Sequence, residues 1–330
     1  MKCDRILISR TDSIGDVVLT LPLAVALKKK FPSATIIFLG QAYTRPVIER
    51  CPAVDIFEDI RQLQTAEDIQ KLNLDVFIHV FPNQVLARLA KKARVPLRIG
   101  TSHRLYHWTT CNKLLPIGRK NSDLHEAQLN LQLGVPLGLP DLMTLDEINA
   151  MTLFKKEIPP IALQGLIDPE RVNLILHPTS KGSAREWGLD NFSRLVALLP
   201  HDQFRIFITG TASDGEKLKD WIHKHNNLED LTGKLSLPEL ISFIAACDVL
   251  VAASTGPLHL AAASGIYAFG IYAPLRPIHA GRWAPLGMRA KVFSIDKDCK
   301  DCKKSPDCAC IRSIMPATIA QALMNIKKLQ

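Results

Sequence analysis

Residues 5–30 read RILISRTDSIGDVVLTLPLAVALKKK, and the change of period inside this stretch decides the fold. Arg5-Ile6-Leu7-Ile8 is a short apolar run of the kind that forms a buried strand. The polar stretch Ser9 to Gly15 ends it, and a helical pattern follows from Asp16 to Lys30, closed by Phe31-Pro32. A strand that feeds directly into a helix opens a parallel βαβ unit. The same alternation continues outward. Ala34 to Leu39 reads as a strand, Thr44 to Arg50 as a helix, and Val54 to Phe57 and Asp75 to Val80 as strands. Gln84 to Lys92 is helical, ahead of a strand at Leu97-Arg98-Ile99.

Val135 to Pro160 changes character, with Pro136, Gly138, Pro140, Pro159 and Pro160 and little helical periodicity between them. It reads as the approach to a linker, with a boundary near residues 155–170 and domains over 1–160 and 161–330. The alternation then restarts. Strands are expected over Val172–Leu176, Phe204–Thr209, Val249–Ala252 and Tyr267–Tyr272. Helices are expected over Asp190–Leu199, Gly215–His225, Leu237–Ala246 and Leu258–Ala263, with an amphipathic terminal helix over Pro316–Leu329. The fold class is α/β: two Rossmann-like, doubly wound domains in tandem, expected to face each other across a cleft.

Composition sets bounds on function. Apolar residues make up 47% of the 330 and charged residues 22%, a globular balance that excludes disorder. Forty-one Lys and Arg against 32 Asp and Glu give a net charge of +9. That excess favours nucleic acid, nucleotide phosphates or an acidic membrane surface without choosing among them. Met1 to Asp16 lacks the apolar stretch and cleavage site of a signal peptide, and Leu258 to Ala273 is too short to span a bilayer. The expectation is a cytoplasmic protein whose eight cysteines stay reduced. No Gly-x-Gly-x-x-Gly follows the first strand, and no Gly-x-x-x-x-Gly-Lys-Ser/Thr occurs, which disfavours dinucleotide dehydrogenases and P-loop NTPases. The absence of His-Glu-x-x-His and Gly-x-Ser-x-Gly weakens the cases for a zinc protease and an α/β-hydrolase.

Four loops at strand ends remain to carry chemistry, since ligands bind at the carboxyl ends of such strands. In Arg10 to Asp16, Gly15 permits a tight turn and Asp16 opens a helix. Asp16 is either a first-turn acid that steadies the helix dipole or a catalytic carboxylate. His177 to Trp187 is rich in hydroxyls, backbone donors and cations, which suits a pyrophosphate, although ordinary loops collect the same residues. Ser254-Thr255-Gly256-Pro257-Leu258-His259 marks a helix start whose amides would attract phosphate, with His259 one turn in. A plain capped helix with a packed histidine is the competing reading. Thr209 to Asp214 places Asp214 where it could accept from a ribose or serve as a helix cap.

Taken together, Ser13-Ile14-Gly15-Asp16-Val17, Ala184-Arg185-Glu186-Trp187 and Thr255-Gly256-Pro257-Leu258-His259-Leu260-Ala261 resemble the motifs of glycosyltransferase family 9, the ADP-heptose:lipopolysaccharide heptosyltransferases. The resemblance runs from Ile6 to the terminal helix. It implies a GT-B fold, with the acceptor mainly on the first domain and the nucleotide-sugar mainly on the second. It implies inverting transfer without a metal or other cofactor. Asp16 matches the family's catalytic carboxylate, with Ser13 and Gly15 on the acceptor-side loop. Thr179 and Ser180 match hydroxyl positions near the donor phosphates, Arg185 stands where relatives often carry Lys, and Asp214 aligns with an acid that contacts the nucleoside. Thr255, Gly256 and His259 match the helix start at the phosphates. Ser254 departs from the pattern, where an Asp is frequent, and this leaves the identity of the sugar open.

The resemblance implies ADP-heptose as donor and a lipopolysaccharide core or lipid-linked acceptor, with no nucleic acid partner. It also implies peripheral contact with the inner face of the cytoplasmic membrane. The basic stretch Lys91, Lys92, Arg94, Arg98, His103 and Arg104 could meet such an anionic acceptor, or be a solvated helix end and loop. Two alternatives stand beside the main reading: a non-catalytic nucleotide-sugar-binding protein, and a family member with a different donor. Asp296-Lys297-Asp298 resembles a metal-binding Asp-x-Asp but lies beyond both expected sheets. Cys299, Cys302, Cys308 and Cys310 could form a structural zinc knuckle, although the spacer is short and reduced thiols need no metal. The terminal helix is expected to be free to pack back on the first domain, as in many GT-B proteins.

Overall fold

Ile6, Leu7 and Ile8 are fully buried, the mark of a central parallel strand covered on both faces. The computed structural model describes residues 3–119, 122–156, 160–297 and 307–329. It divides into two units, Met1–Lys155 and Lys156–Gln330. In the first, β1 (Arg5–Ser9), β2 (Thr35–Gly40), β3 (Ile56–Asp59), β4 (Val76–His79), β5 (Leu97–Thr101) and β6 (Lys113–Leu115) form one parallel sheet in the order β3-β2-β1-β4-β5-β6. The order of strands reverses beside β1, which pairs β2 on one side (Ile6 with Ile36) and β4 on the other (Ile6 with Val76). Such a switch point leaves a crevice at the carboxyl ends of the two inner strands. The loop from Arg10 to Asp16 leaves β1 there.

The second unit repeats the plan. Its strands are β7 (Val172–His177), β8 (Phe204–Ile208), β9 (Leu228–Asp230), β10 (Val249–Ala253), β11 (Tyr267–Ile271) and β12 (Ala290–Phe293). They pair in the order β12-β11-β10-β7-β8-β9, again all parallel. The reversal falls between β7 and β10, where Ala252 pairs with His177. The loops expected to hold the donor, after β7 and after β10, therefore flank the switch point, and the loop before Asp214 follows the adjacent β8.

Two expected elements come out differently. The helix read over Asp16–Lys30 is split into Ile14–Val18 and Leu21–Lys30. Pro22 has no amide to donate and restarts the helix from its first turn, while Thr20 Oγ1 donates to the Asp16 carbonyl at 2.8 Å across the break. The terminal helix ends at Met324, not Leu329. Its Ile319, Ala320 and Leu323 sit in the second unit's own core, against the helix Leu189–Leu198. Trp187 Nε1 donates to the Ile314 carbonyl (2.9 Å) and Asn191 Nδ2 to the Arg312 carbonyl (2.8 Å), tying the segment before this helix to the same place.

Candidate active site

The loop after β1 is organised around Arg10, which is 4% exposed. A buried guanidinium requires anionic partners, and it finds three. Nε donates to Asp12 Oδ1 at 2.7 Å, Nη2 to Asp16 Oδ1, and Nη1 to Glu126 Oε1 at 3.3 Å. Glu126 begins the helix Glu126–Leu131 and also accepts from Arg119. Asp16 Oδ2 accepts from the Ser13 hydroxyl, which does not cap the helix Ile14–Val18. Asp16 thus sits in the first turn of that helix with both oxygens oriented and its side chain 19% exposed. Each carboxylate oxygen keeps a second lone pair for an incoming hydroxyl. Tyr43 donates to the Asp12 carbonyl (2.8 Å) and Gln41 to the Thr11 carbonyl (2.9 Å), so the loop after β2 braces the loop after β1. Burial pushes the Asp12 carboxyl up to about 6, against the pull of Arg10 and with the help of the Asp16 charge.

In the second unit, the loop after β7 turns tightly through Lys181 (φ 50°) and Gly182 (φ 82°). Left-handed backbone at a lysine is costly and is kept only where surroundings enforce it. Glu186 does so here: its Oε1 accepts from the Ser180 amide at 2.7 Å and from the Ser180 hydroxyl at 3.1 Å. The Ser180 hydroxyl also donates to the Ala184 carbonyl at 2.9 Å, so it shapes the loop from within. Thr179 behaves differently. Its Oγ1 is buried with no hydrogen-bond partner, an unfavourable state for a hydroxyl unless something else completes it.

Thr179 and Asp214 line one cavity of about 360 Å³ together with Lys181, Gly182, Glu186 and Lys217, a volume within the range of small-molecule sites. Asp214 Oδ2 accepts from the Thr211 amide (2.8 Å) and hydroxyl (2.6 Å) in the capping box of the helix Ala212–His223. Its carboxyl is held below the usual range despite burial, by those bonds and by Lys181, whose Nζ is 4.0 Å away. Burial pushes His177 down to about 4, and its Nδ1 lies 3.0 Å from Thr209 Oγ1. Lys217 gave no sequence signal, because on a helix surface it reads as solvated charge.

The third group of expected residues surrounds the start of the helix Gly256–Ala263 and does not line this cavity. Thr255 is the N-cap, yet its side chain makes no capping bond, and Oγ1 is buried without a partner. Gly256 and Pro257 open the first turn, and His259 is buried one turn in. The Tyr272 hydroxyl, pushed up by burial, hydrogen-bonds Ser254 and donates to the Trp283 carbonyl at 2.6 Å. Arg185 is half-buried and likewise does not line the cavity. The structure therefore joins Thr179 to Asp214 in one cavity and leaves Thr255 as a second buried, unsatisfied hydroxyl at the β10 end.

Among the described residues, no group of three or more His, Cys, Asp or Glu side chains could hold a metal ion. Cys299 and Cys302, half of the proposed knuckle, lie outside the described residues, while Cys308 and Cys310 are buried in the second unit's core. Nor is any helix among the described residues long and apolar enough to cross a membrane.

Residues 149–310 match the family model of glycosyltransferase family 9 (heptosyltransferase). The chain carries a family 9 glycosyltransferase domain. This family 9 match falls almost wholly on the second unit, where the cavity and the Thr179 and Thr255 hydroxyls lie. Likeness over the rest comes from relatives. Lipopolysaccharide heptosyltransferase 3 of Escherichia coli K12 is 25% identical over 270 residues, 76% of each chain. Lipooligosaccharide heptosyltransferase 2 of a Campylobacter jejuni strain is 22% identical over 327 residues, 96% of each chain. The solved structure of E. coli ADP-heptose lps heptosyltransferase II superposes with a TM-score of 0.76 at 19% identity, covering 97% of both chains. The fold is GT-B, and the activity is that of a glycosyltransferase.

Proposed function

We propose that the protein transfers a heptose from ADP-heptose, with inversion, to a lipopolysaccharide core or related lipid-linked acceptor, with Asp16 as general base. The observation that carries this reading is the Asp16 carboxylate, oriented on both oxygens at the carboxyl end of β1 and still open to solvent. As the acceptor oxygen attacks the anomeric carbon, its proton passes to Asp16. The bond from that carbon to the phosphate oxygen breaks on the opposite face, and ADP leaves with the bonding pair. A positioned base of this kind contributes about 10²–10⁴-fold.

The donor belongs to the second unit. The Thr179 and Thr255 hydroxyls lack partners there, and a diphosphate supplies acceptor oxygens for both. Lys181, Lys217 and Arg185 supply fixed positive charge, with the amides that open the helix Gly256–Ala263, so that charge growing on the leaving oxygen is met without a metal ion. Ser180 shapes the loop that presents these groups, and Asp214 faces the same cavity as the acid for the ribose. The Ser254 hydroxyl and His259 complete the β10 end. In this reading the protein works in the cytoplasm, on the inner face of the membrane, and binds no nucleic acid.

The test is transfer of radiolabelled sugar from a panel of nucleotide sugars to heptose-deficient lipopolysaccharide, with and without EDTA. ADP-heptose should be the preferred donor and EDTA should leave transfer intact. Preference for another nucleotide sugar would reassign the donor, and binding without any transfer would make the protein a non-catalytic receptor for nucleotide sugars.

A further inference from the structure

Residues 76–122 contain nine Lys or Arg and no Asp or Glu. The whole chain has a net charge of +9, so the remaining residues balance to zero and this one segment holds the entire excess. Arg98 and Arg119 turn inward: Arg98 Nε donates to the Thr110 carbonyl at 2.8 Å, and Arg119 binds Glu126. Arg88, Lys91, Lys92, Arg94, Arg104 and Lys113 are exposed. The same segment holds two of the most exposed large apolar side chains, Leu105 at 88% and Trp108 at 64%.

These features belong to adjoining elements. The helix Gln84–Lys92 buries Leu86, Ala87 and Ala90 and turns Val85, Arg88 and Lys92 outward. It packs against the short helix His107–Thr110, and Lys91 Nζ donates to the Thr109 carbonyl at 2.7 Å between them. Trp108 is fixed, not loose, because its Nε1 donates to the Ser102 carbonyl at 2.9 Å while most of the ring stays in water. Burying Leu105 or Trp108 would be favourable, and nothing among the described residues does so. Cations flanking an exposed tryptophan and leucine match an anionic bilayer, whose headgroups take the charge and whose interface takes the apolar groups. A nucleic acid would meet the cations but offers no apolar phase to a side chain as exposed as Leu105.

We propose that this face of the first unit docks on an anionic phospholipid surface, with Leu105 and Trp108 entering the headgroup layer. It deepens the acceptor side of the proposed function and rests on that reading only for its purpose. The docked face would hold the enzyme where a lipid-anchored acceptor is presented.

The full chain is sedimented with vesicles of phosphatidylcholine alone and of equimolar phosphatidylcholine and phosphatidylglycerol. Binding should require phosphatidylglycerol and weaken with salt. Trp108 is the one exposed tryptophan of the four, so emission should shift to the blue on binding, and Trp108→Phe should abolish the shift. Leu105→Ser and the double change Arg88→Glu with Lys92→Glu should each weaken binding by about tenfold or more. Leu105→Ser should leave transfer to a soluble, delipidated core oligosaccharide unchanged and reduce transfer to the same acceptor in vesicles. Loss of both transfers in wild type would count against the enzymatic reading and leave vesicle binding to be judged alone. No preference for phosphatidylglycerol, an unchanged Leu105→Ser, or tighter binding to a single-stranded oligonucleotide than to vesicles would overturn the proposal.

Discussion

Arg10 donates to Asp16 from the buried end of β1, and together with the Ser13 hydroxyl it holds the carboxylate that the proposed transfer requires. The guanidinium is shared among Asp12, Asp16 and Glu126, so its removal takes a cation from Glu126, which is 1% exposed and also pairs with Arg119. Breaking one partner out of a buried ion network typically costs about 3–5 kcal/mol. Arg10→Met should lose about that much in urea unfolding. A change below about 1 kcal/mol would mean that Glu126 is satisfied without Arg10.

Asp12 gives the site a pH response. Its carboxyl titrates near 6 because burial outweighs the pull of Arg10. When Asp12 takes up a proton, one of the three charges balancing Arg10 disappears, and the guanidinium draws more strongly on Asp16, weakening it as a base. Wild-type kcat/KM should therefore fall as pH drops through about 6. Asp12→Asn should stay at the low level and be flat across that interval. A limb near pH 6 that persists in Asp12→Asn would assign it to another group.

The Thr179 and Thr255 hydroxyls separate binding from stability. Thr179→Val and Thr255→Val keep the shape of each side chain and remove a buried polar group with no partner. Stability should hold or rise by up to about 1 kcal/mol, since Thr255 makes no capping bond to lose. ADP affinity, read by calorimetry, should fall about tenfold for each. A loss of stability with unchanged affinity would make both hydroxyls structural.

Much of this arrangement was legible in the sequence, for a physical reason. Inner strands such as β1 and β10 are buried on both faces and read as unbroken apolar runs, so both sheets and the loops at their switch points could be placed. The edge strands β6, β9 and β12 could not. Leu228-Glu229-Asp230 is short and half-exposed, and nothing in it selects a strand over a turn. The site divides in the same way. Asp16, Thr179 and Thr255 lie in motifs with local spacing. Glu126 lies 116 residues from Arg10, in a stretch with no pattern of its own, and only tertiary structure brings them together. The resemblance places Ser180 near the donor phosphates. The structure shows its hydroxyl shaping the loop with Glu186, a pairing that residue type alone does not specify.

His79 and His177 contribute to the response of the fold to acid. His79, stacked on Phe77 with ring centroids 4.3 Å apart, is held down to about 3 by burial and then by His107, and His177 to about 4 by burial. Both lie below the ordinary 6.5, so the unfolded chain takes up these protons first as pH falls. Their contribution is complete above pH 6.5 and declines below it, down to about 4 for His177 and about 3 for His79. Each should add a slope of about 1.4 kcal/mol per pH unit. Urea unfolding of His79→Leu below pH 6.5 should show a slope shallower by that amount. An unchanged slope would mean that His79 is charged in the folded protein.

Asp16→Asn is the most direct test of the account, because it keeps the size of the side chain and removes the basic oxygen. Steady-state transfer from ADP-heptose should fall at least about 10²-fold, while ADP affinity by calorimetry stays within about twofold of wild type. Near-wild-type turnover in Asp16→Asn would contradict the account and return Asp16 to the part of a first-turn helix acid.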